Sequence, residues 1–168
     1  MKTLTVDIRR AGPHDADAIA ETHRAAWLGA YSGIIPHKAL RAMTQRRGPQ
    51  WWSNAIRRET PILVVDFGGE IVGYATVGRN RAKQFAQQGE IYELYLRPEY
   101  QGVGLGSRLF TAARKMLARH GLEGLLIWAL EDNANAIAFY EGAGGRNIAE
   151  GVEIFDQKVL RKIAFAWD

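Results

Sequence analysis

The 168 residues include no cysteine. Disulfides, thiolate metal sites and any acyl-cysteine intermediate are thereby excluded, and a reducing compartment fits this composition. No apolar run reaches the ~20 residues needed to span a bilayer. The opening MKTLTVDIRR also lacks the roughly 7–15 apolar residues of a signal-peptide core. A cytoplasmic protein without a membrane partner is expected. Repeats and low-complexity tracts are missing too. Nor does any run of aromatics alternate with basic residues, as a stacking groove for nucleic acid requires. Nucleic acid is therefore not an expected partner, although the net charge is +4 and the pI near 9.5.

What charge there is lies unevenly. Residues 1–60 hold ten Lys and Arg against five Asp and Glu, and the remainder twelve against thirteen. Such a surplus suits a polyphosphorylated small ligand, or it marks solvated helix faces. With 47% apolar residues in a chain of ordinary domain size, one core and a single domain over 1–168 are expected.

Residues 5–10 alternate like a short strand, and Gly12-Pro13 breaks it. Ala16, Ile19, Ala20, His23 and Ala26 then recur at helical spacing. Residues 31–58 carry two turn signals, Ile35-Pro36 and Gly48-Pro49, and read as short helices and loops. Residues 62–67 and 71–77 are apolar runs joined by Gly68-Gly69, which predicts a hairpin. Residues 79–89 read as a loop, and 90–97 as a strand stopped by Pro98. Leu105, Leu109, Ala112, Ala113, Met116 and Leu117 mark a helix ending at Gly121. Residues 125–130 suit a strand buried on both faces. Asn133 caps a helix running to Glu141, and strands at 146–150 and 158–166 close the chain around Asp156-Gln157. The fold class is α/β: a mixed, mostly antiparallel sheet flanked by helices, with one parallel strand-helix-strand unit at 90–130 expected to cross over right-handed.

Chemistry concentrates in Gln101-Gly102-Val103-Gly104-Leu105-Gly106-Ser107, between that strand and the helix after it. Three glycines let successive amides turn into one concavity, and the helix start adds its unpaired N–H groups and positive dipole end. A phosphate can sit there without a lysine. A Walker loop would need Gly-Lys-Ser/Thr, which is absent. A dinucleotide fingerprint needs a different glycine spacing, and an acid ending the next strand, whereas Glu123 precedes it. On spacing alone, a glycine turn that merely packs the helix on the sheet explains the loop equally well.

The blocks EIYELYLRPEYQGVGLGSRLF and WALEDNANAIAFYEGAGG together resemble the GCN5-related N-acetyltransferase family. Gln101, Gly104 and Gly106 match the family's loop pattern, and Asn133, Ala136, Phe139, Tyr140 and Gly144 match its second block. Two departures stand out: Val103 occupies a position often basic in the family, and Gly145 replaces a usual aromatic. The resemblance implies the acyl-CoA N-acyltransferase fold. It also implies acetyl-coenzyme A as co-substrate, no metal, and direct transfer to a small-molecule or peptide amine without a covalent enzyme intermediate. The alternative is an idle acyl-coenzyme A-binding or sensing module on the same fold. A homodimer through an exposed C-terminal strand is possible on this pattern.

By the same resemblance, Gln101 to Ser107 hold the pyrophosphate, and backbone groups around Leu94 and Leu96 bind the pantetheine arm, where an N–H can polarise the thioester carbonyl. Asn133 and Phe139 adjoin the cofactor, although Asn133 is first a helix cap. Tyr140 is the candidate general acid for the departing thiolate. Glu90, Glu93 or a water serves as base. Strict alternation puts Glu90 on the face of Leu94 and Leu96, and Glu93 opposite unless a bulge intervenes. Trp27 and Tyr31 are candidate walls of the acceptor pocket, while His23, on the apolar stripe, is read as structural.

Overall fold

The computed structural model describes residues 4–168. In β1 (Val6–Arg10) alternation turns Val6 and Ile8 to the core. Arg9 grips Asp15 at 2.7 Å and Asp66 at 3.2 Å, which fastens the chain beyond the Gly12-Pro13 break to the sheet. The stripe of α1 (Ala16–Tyr31) is buried through Ile19, Ala20, His23 and Ala26. Prolines start the two short helices that follow: α2 (His37–Arg46) begins after Pro36 and α3 (Pro49–Arg57) has Pro49 in its first turn, where a missing N–H costs nothing. Strands β2 (Ile62–Phe67) and β3 (Glu70–Arg79) form the expected hairpin. Gly68 and Gly69 take φ of 61° and 94°, as a primed turn demands.

Next come β4 (Gly89–Leu96), α4 (Leu105–Arg119), β5 (Leu125–Leu130), α5 (Ala134–Gly142), β6 (Arg146–Phe155) and β7 (Lys158–Trp167). Gly121 lies just past α4 at φ 74°, and Asn133 accepts from the Ala136 amide at the start of α5. The closing strands outrun the expected 146–150 and 158–166. Asp156 and Gln157 both adopt positive φ in a two-residue turn, so pairing continues from Arg146↔Ala166 to Phe155↔Lys158. Gly151 does not end the strand, because Lys162 pairs across it.

The seven strands lie in the order β1-β2-β3-β4-β5-β7-β6, and every neighbouring pair is antiparallel except β4 and β5. One sheet face packs on α4, with Leu105, Leu109, Ala113 and Met116 against Leu63, Val65, Val77 and Ile91. The other packs on α1 and α3, with Ile19 and Trp52 against Ile62, Val64 and Tyr74. Each fully buried Leu or Ile here contributes about 1.5–3 kcal/mol. No helix of the described residues is long and apolar enough to cross a membrane.

Two irregularities in β4 shape everything that follows. Thr76 pairs with Glu93 but Val77 pairs with Ile91, so Tyr92 is an extra residue and the alternation reverses there. The pairing with β5 is also brief, at Gly89↔Leu125 and Glu90↔Leu126 only, after which the two strands part.

Candidate functional site

Where β4 leaves β5, its outer edge has no strand partner among the described residues. Arg97 donates to Val72 on β3, so alternate residues Tyr95 and Glu93 also pair toward β3. The peptide groups of Leu94 and Leu96 therefore face the opening. The Leu96 carbonyl there accepts from Gln101 Nε2 at 3.4 Å, so Gln101 braces the loop against the strand end.

The loop itself is built from backbone. Gly102 and Gly104 have φ of 79° and 85°, and a Cβ on either would meet nothing within 4 Å. Positive φ, rather than crowding, is what demands glycine here. Gly104 caps α4 without a side-chain acceptor. Among the described residues, none of the amides from Gly102 to Ser107 has a hydrogen-bond partner. Six orphan donors at a helix start form an anion seat. Gly106 has a different role: its Cβ would lie 3.3 Å from the Phe139 ring, so α4 and α5 approach closely at that point. Val103 is 66% exposed and adds no charge.

Tyr140, on α5, is buried against Phe139, Phe165 and Trp167. Burial raises its hydroxyl well above the ordinary tyrosine value, with the neighbouring Tyr31 adding to the effect. It is thus a phenol that keeps its proton. The glycine at 145 has a local reason: a Cβ there would lie 2.6 Å from Trp167, which fills the space from β7.

On the face turned to α1 and α3 lies a cavity of about 850 Å³, lined by Glu93 and Tyr95 of β4 and by Ala129 and Leu130 of β5. Trp27 and Tyr31 line it, packed edge-on to each other and edge-on or tilted against Tyr95. The Tyr31 and Tyr95 hydroxyls meet at 2.5 Å. His23 sits behind this wall, 1% exposed among Trp27, Trp52 and Tyr74, and its Nδ1 has no partner among the described residues. Burial drives its pKa down to about 3, and Arg47 adds to the effect, so the ring stays neutral.

Both glutamates line this cavity, which corrects the expectation that Glu90 shares the face of Leu94 and Leu96. The extra residue at Tyr92 reverses the alternation, so Glu90 and Glu93 both stand opposite Ile91, Leu94 and Leu96. Their settings differ. Glu90 is 2% exposed and saturated by the Arg81 amide and guanidinium at 3.0–3.4 Å. Glu93 accepts from Arg47 and from Thr76 Oγ1, and burial pushes its carboxyl above the ordinary glutamate range against the pull of Arg47. Arg47, Thr76, Arg81, Trp128 and Lys162 also line the cavity. The motif reading passed over them, because they come from five separate segments that only the topology brings together.

A model of the Acetyltransferase (GNAT) family matches residues 19–144. The chain is 28% identical over 163 residues to an N-acetyltransferase, YuaI, of Bacillus subtilis, covering 96% of this chain and 92% of that one. Its fold matches the PaiA N-acetyltransferase of Thermoplasma acidophilum in complex with coenzyme A, with a TM-score of 0.77 at 20% identity over 97% and 99% of the two chains. It also matches the acetyltransferase YncA of Salmonella typhimurium with acetyl-CoA, at a TM-score of 0.70 and 24% identity over 96% and 92%.

Proposed function

The chain belongs to the GNAT family of acetyltransferases, and from that premise we propose that it moves an acetyl group from acetyl-coenzyme A directly to an amine. The observation that carries this reading is the meeting of two unpaired backbone surfaces. Six orphan amides at the start of α4 adjoin the outward peptide groups of Leu94 and Leu96. The first suits a pyrophosphate, and the second an extended pantetheine arm that completes the missing strand pairing. The open φ-positive glycines fit such a ligand, since no side chain intrudes on the seat.

Bound acetyl-coenzyme A supplies an activated acyl group as a thioester. The chain's residues do the rest. An outward N–H of β4 donates to the thioester oxygen as negative charge grows on it. Glu93, on the cavity side of the same strand, takes the proton that the amine nitrogen sheds as its bond to the acyl carbon forms, directly or through a water. Glu93 is preferred to Glu90 because three hydrogen bonds from Arg81 hold the oxygens of Glu90, whereas Glu93 accepts one from Arg47 and one from Thr76, and burial raises its carboxyl. As the carbon–sulfur bond breaks, Tyr140 gives its proton to the leaving thiolate; its buried phenol is protonated at neutral pH and so is ready to donate. Trp27 and Tyr31 form the acceptor's wall. Isothermal titration with acetyl-coenzyme A tests the foundation: saturable heat is expected, and none at millimolar ligand would end the reading.

A further inference from the structure

Resting on that reading of the site, we propose that the acceptor is a weakly basic amine, of the kind that begins a peptide or an amino-acid amide, and that strongly basic alkylamines are poor acceptors. The basis is a charge balance within the cavity wall. Each carboxylate that lines it already holds a cation: Glu93 has Arg47, Glu90 has Arg81 at 3.0 Å, Glu153 has Lys162 at 3.2 Å, and Glu150 has Arg161. The aromatic faces are spoken for in the same way. Arg47 lies 4.4 Å over Trp51, Arg81 4.1 Å over Tyr92, and the Lys162 ammonium 4.5 Å over Trp128. Of the remaining rings of the wall, Trp27, Tyr31 and Tyr95 pack on one another at 5.2–6.1 Å, and Phe155 is partly buried against the cluster of Tyr31, Leu130 and Leu160.

Among the described residues an entering alkylammonium thus finds no unpaired carboxylate, and the electron-rich Trp and Tyr rings of the wall are already engaged. To gain either it must expel a built-in cation, exchanging one positive charge for another while losing its own hydration. A neutral amine meets no such barrier. At pH 7.5 an α-amine of pKa about 7.7–8.0 is roughly 25–40% neutral, whereas a lysine-type amine of pKa about 10.4 is ~0.1% neutral. The wall therefore favours acceptors that arrive already uncharged.

Two isomeric acceptors isolate this effect: Nε-acetyl-lysine amide, with a free α-amine, and Nα-acetyl-lysine amide, with a free ε-amine. Coenzyme A thiol release from acetyl-coenzyme A gives kcat/KM for each. At pH 7.5 the α-amine is expected to be favoured by tenfold or more. The ratio should fall about tenfold by pH 9, as the neutral fraction of the ε-amine rises. Lys162→Met, which leaves Glu153 and the Trp128 face without their cation, should narrow the pH 7.5 ratio at least threefold. A ratio of one or below at pH 7.5, or a Lys162→Met ratio equal to that of the wild type, overturns the inference while leaving acetyl transfer standing. Transfer to neither amine, with acetyl-coenzyme A still bound, removes the transferase reading beneath it as well.

Discussion

Acidification should loosen this protein through a single ring. His23 is 1% exposed with an unpartnered Nδ1, and its folded pKa is about 3 against an ordinary 6.5. Above pH 6.5 both folded and unfolded chains hold it neutral, so it contributes no pH dependence. Below 6.5 the unfolded chain takes up a proton that the folded chain refuses until about pH 3. Stability therefore falls by about 1.4 kcal/mol per pH unit across that window. Between pH 7.5 and pH 5 the loss is about 2 kcal/mol, set almost wholly by the unfolded value because pH 5 remains well above the folded one. His23→Met keeps an apolar filler of similar bulk and removes the titration. Urea unfolding of both proteins at the two pH values gives the difference, and the other histidines, Glu93 and Asp15 cancel because both proteins share them. The wild type should lose about 2 kcal/mol more than the variant on acidification. Equal losses would show that His23 is charged or hydrated in the folded state, and the account of the aromatic wall behind the cavity would fail.

Other outcomes follow from the same geometry. Gly104→Ala puts a Cβ on a residue at φ 85° and should cost about 1–2 kcal/mol of stability, with weaker acetyl-coenzyme A binding seen by calorimetry. Tyr140→Phe, which removes only a hydroxyl, should lower kcat by about 10²–10⁴-fold with little change in cofactor affinity. Glu93→Gln should abolish the acidic limb of the pH–rate profile. In the wild type that limb lies above the ordinary glutamate range, because burial raises this carboxyl and the base must be ionised to work. Glu90→Gln should act chiefly on melting temperature, since it unpairs Arg81 from a buried position. Gly145→Ala should cost about 1–3 kcal/mol by forcing Trp167 out of place.

Much of the fold was legible because local signals were strong. Gly68-Gly69, Gly121 and Asn133 punctuate the chain where turn, helix end and cap require them. The loop at 101–107 was legible from position as much as composition, lying between a strand and a helix. The side of the sheet that Glu90 occupies was not. Period-two counting fails at one extra residue, Tyr92, and nothing in EIYELYL distinguishes a bulge from regular strand. The length of β6 was hidden by Gly151, which reads as a break yet pairs with Lys162. The cavity wall was hidden for another reason. Arg47 follows α2, Arg81 lies in a loop, and Trp128 and Lys162 belong to strands distant in the chain, so their convergence is a property of strand order rather than of any local pattern.

The early parting of β4 from β5 has a mechanical consequence. The sheet is in effect two panels, β1 to β4 and β5 to β7, sewn together at one end only, where Gly89 and Glu90 pair with Leu125 and Leu126 and the Gln88 and Gly89 amides donate to the Glu123 and Gly124 carbonyls. Along that line strand pairing is sparse, and a stretched ligand laid in the gap would act as the missing stitches. Loading the protein should therefore stiffen it as a whole, slowing amide exchange in strands on both sides of the seam and not merely where the ligand touches.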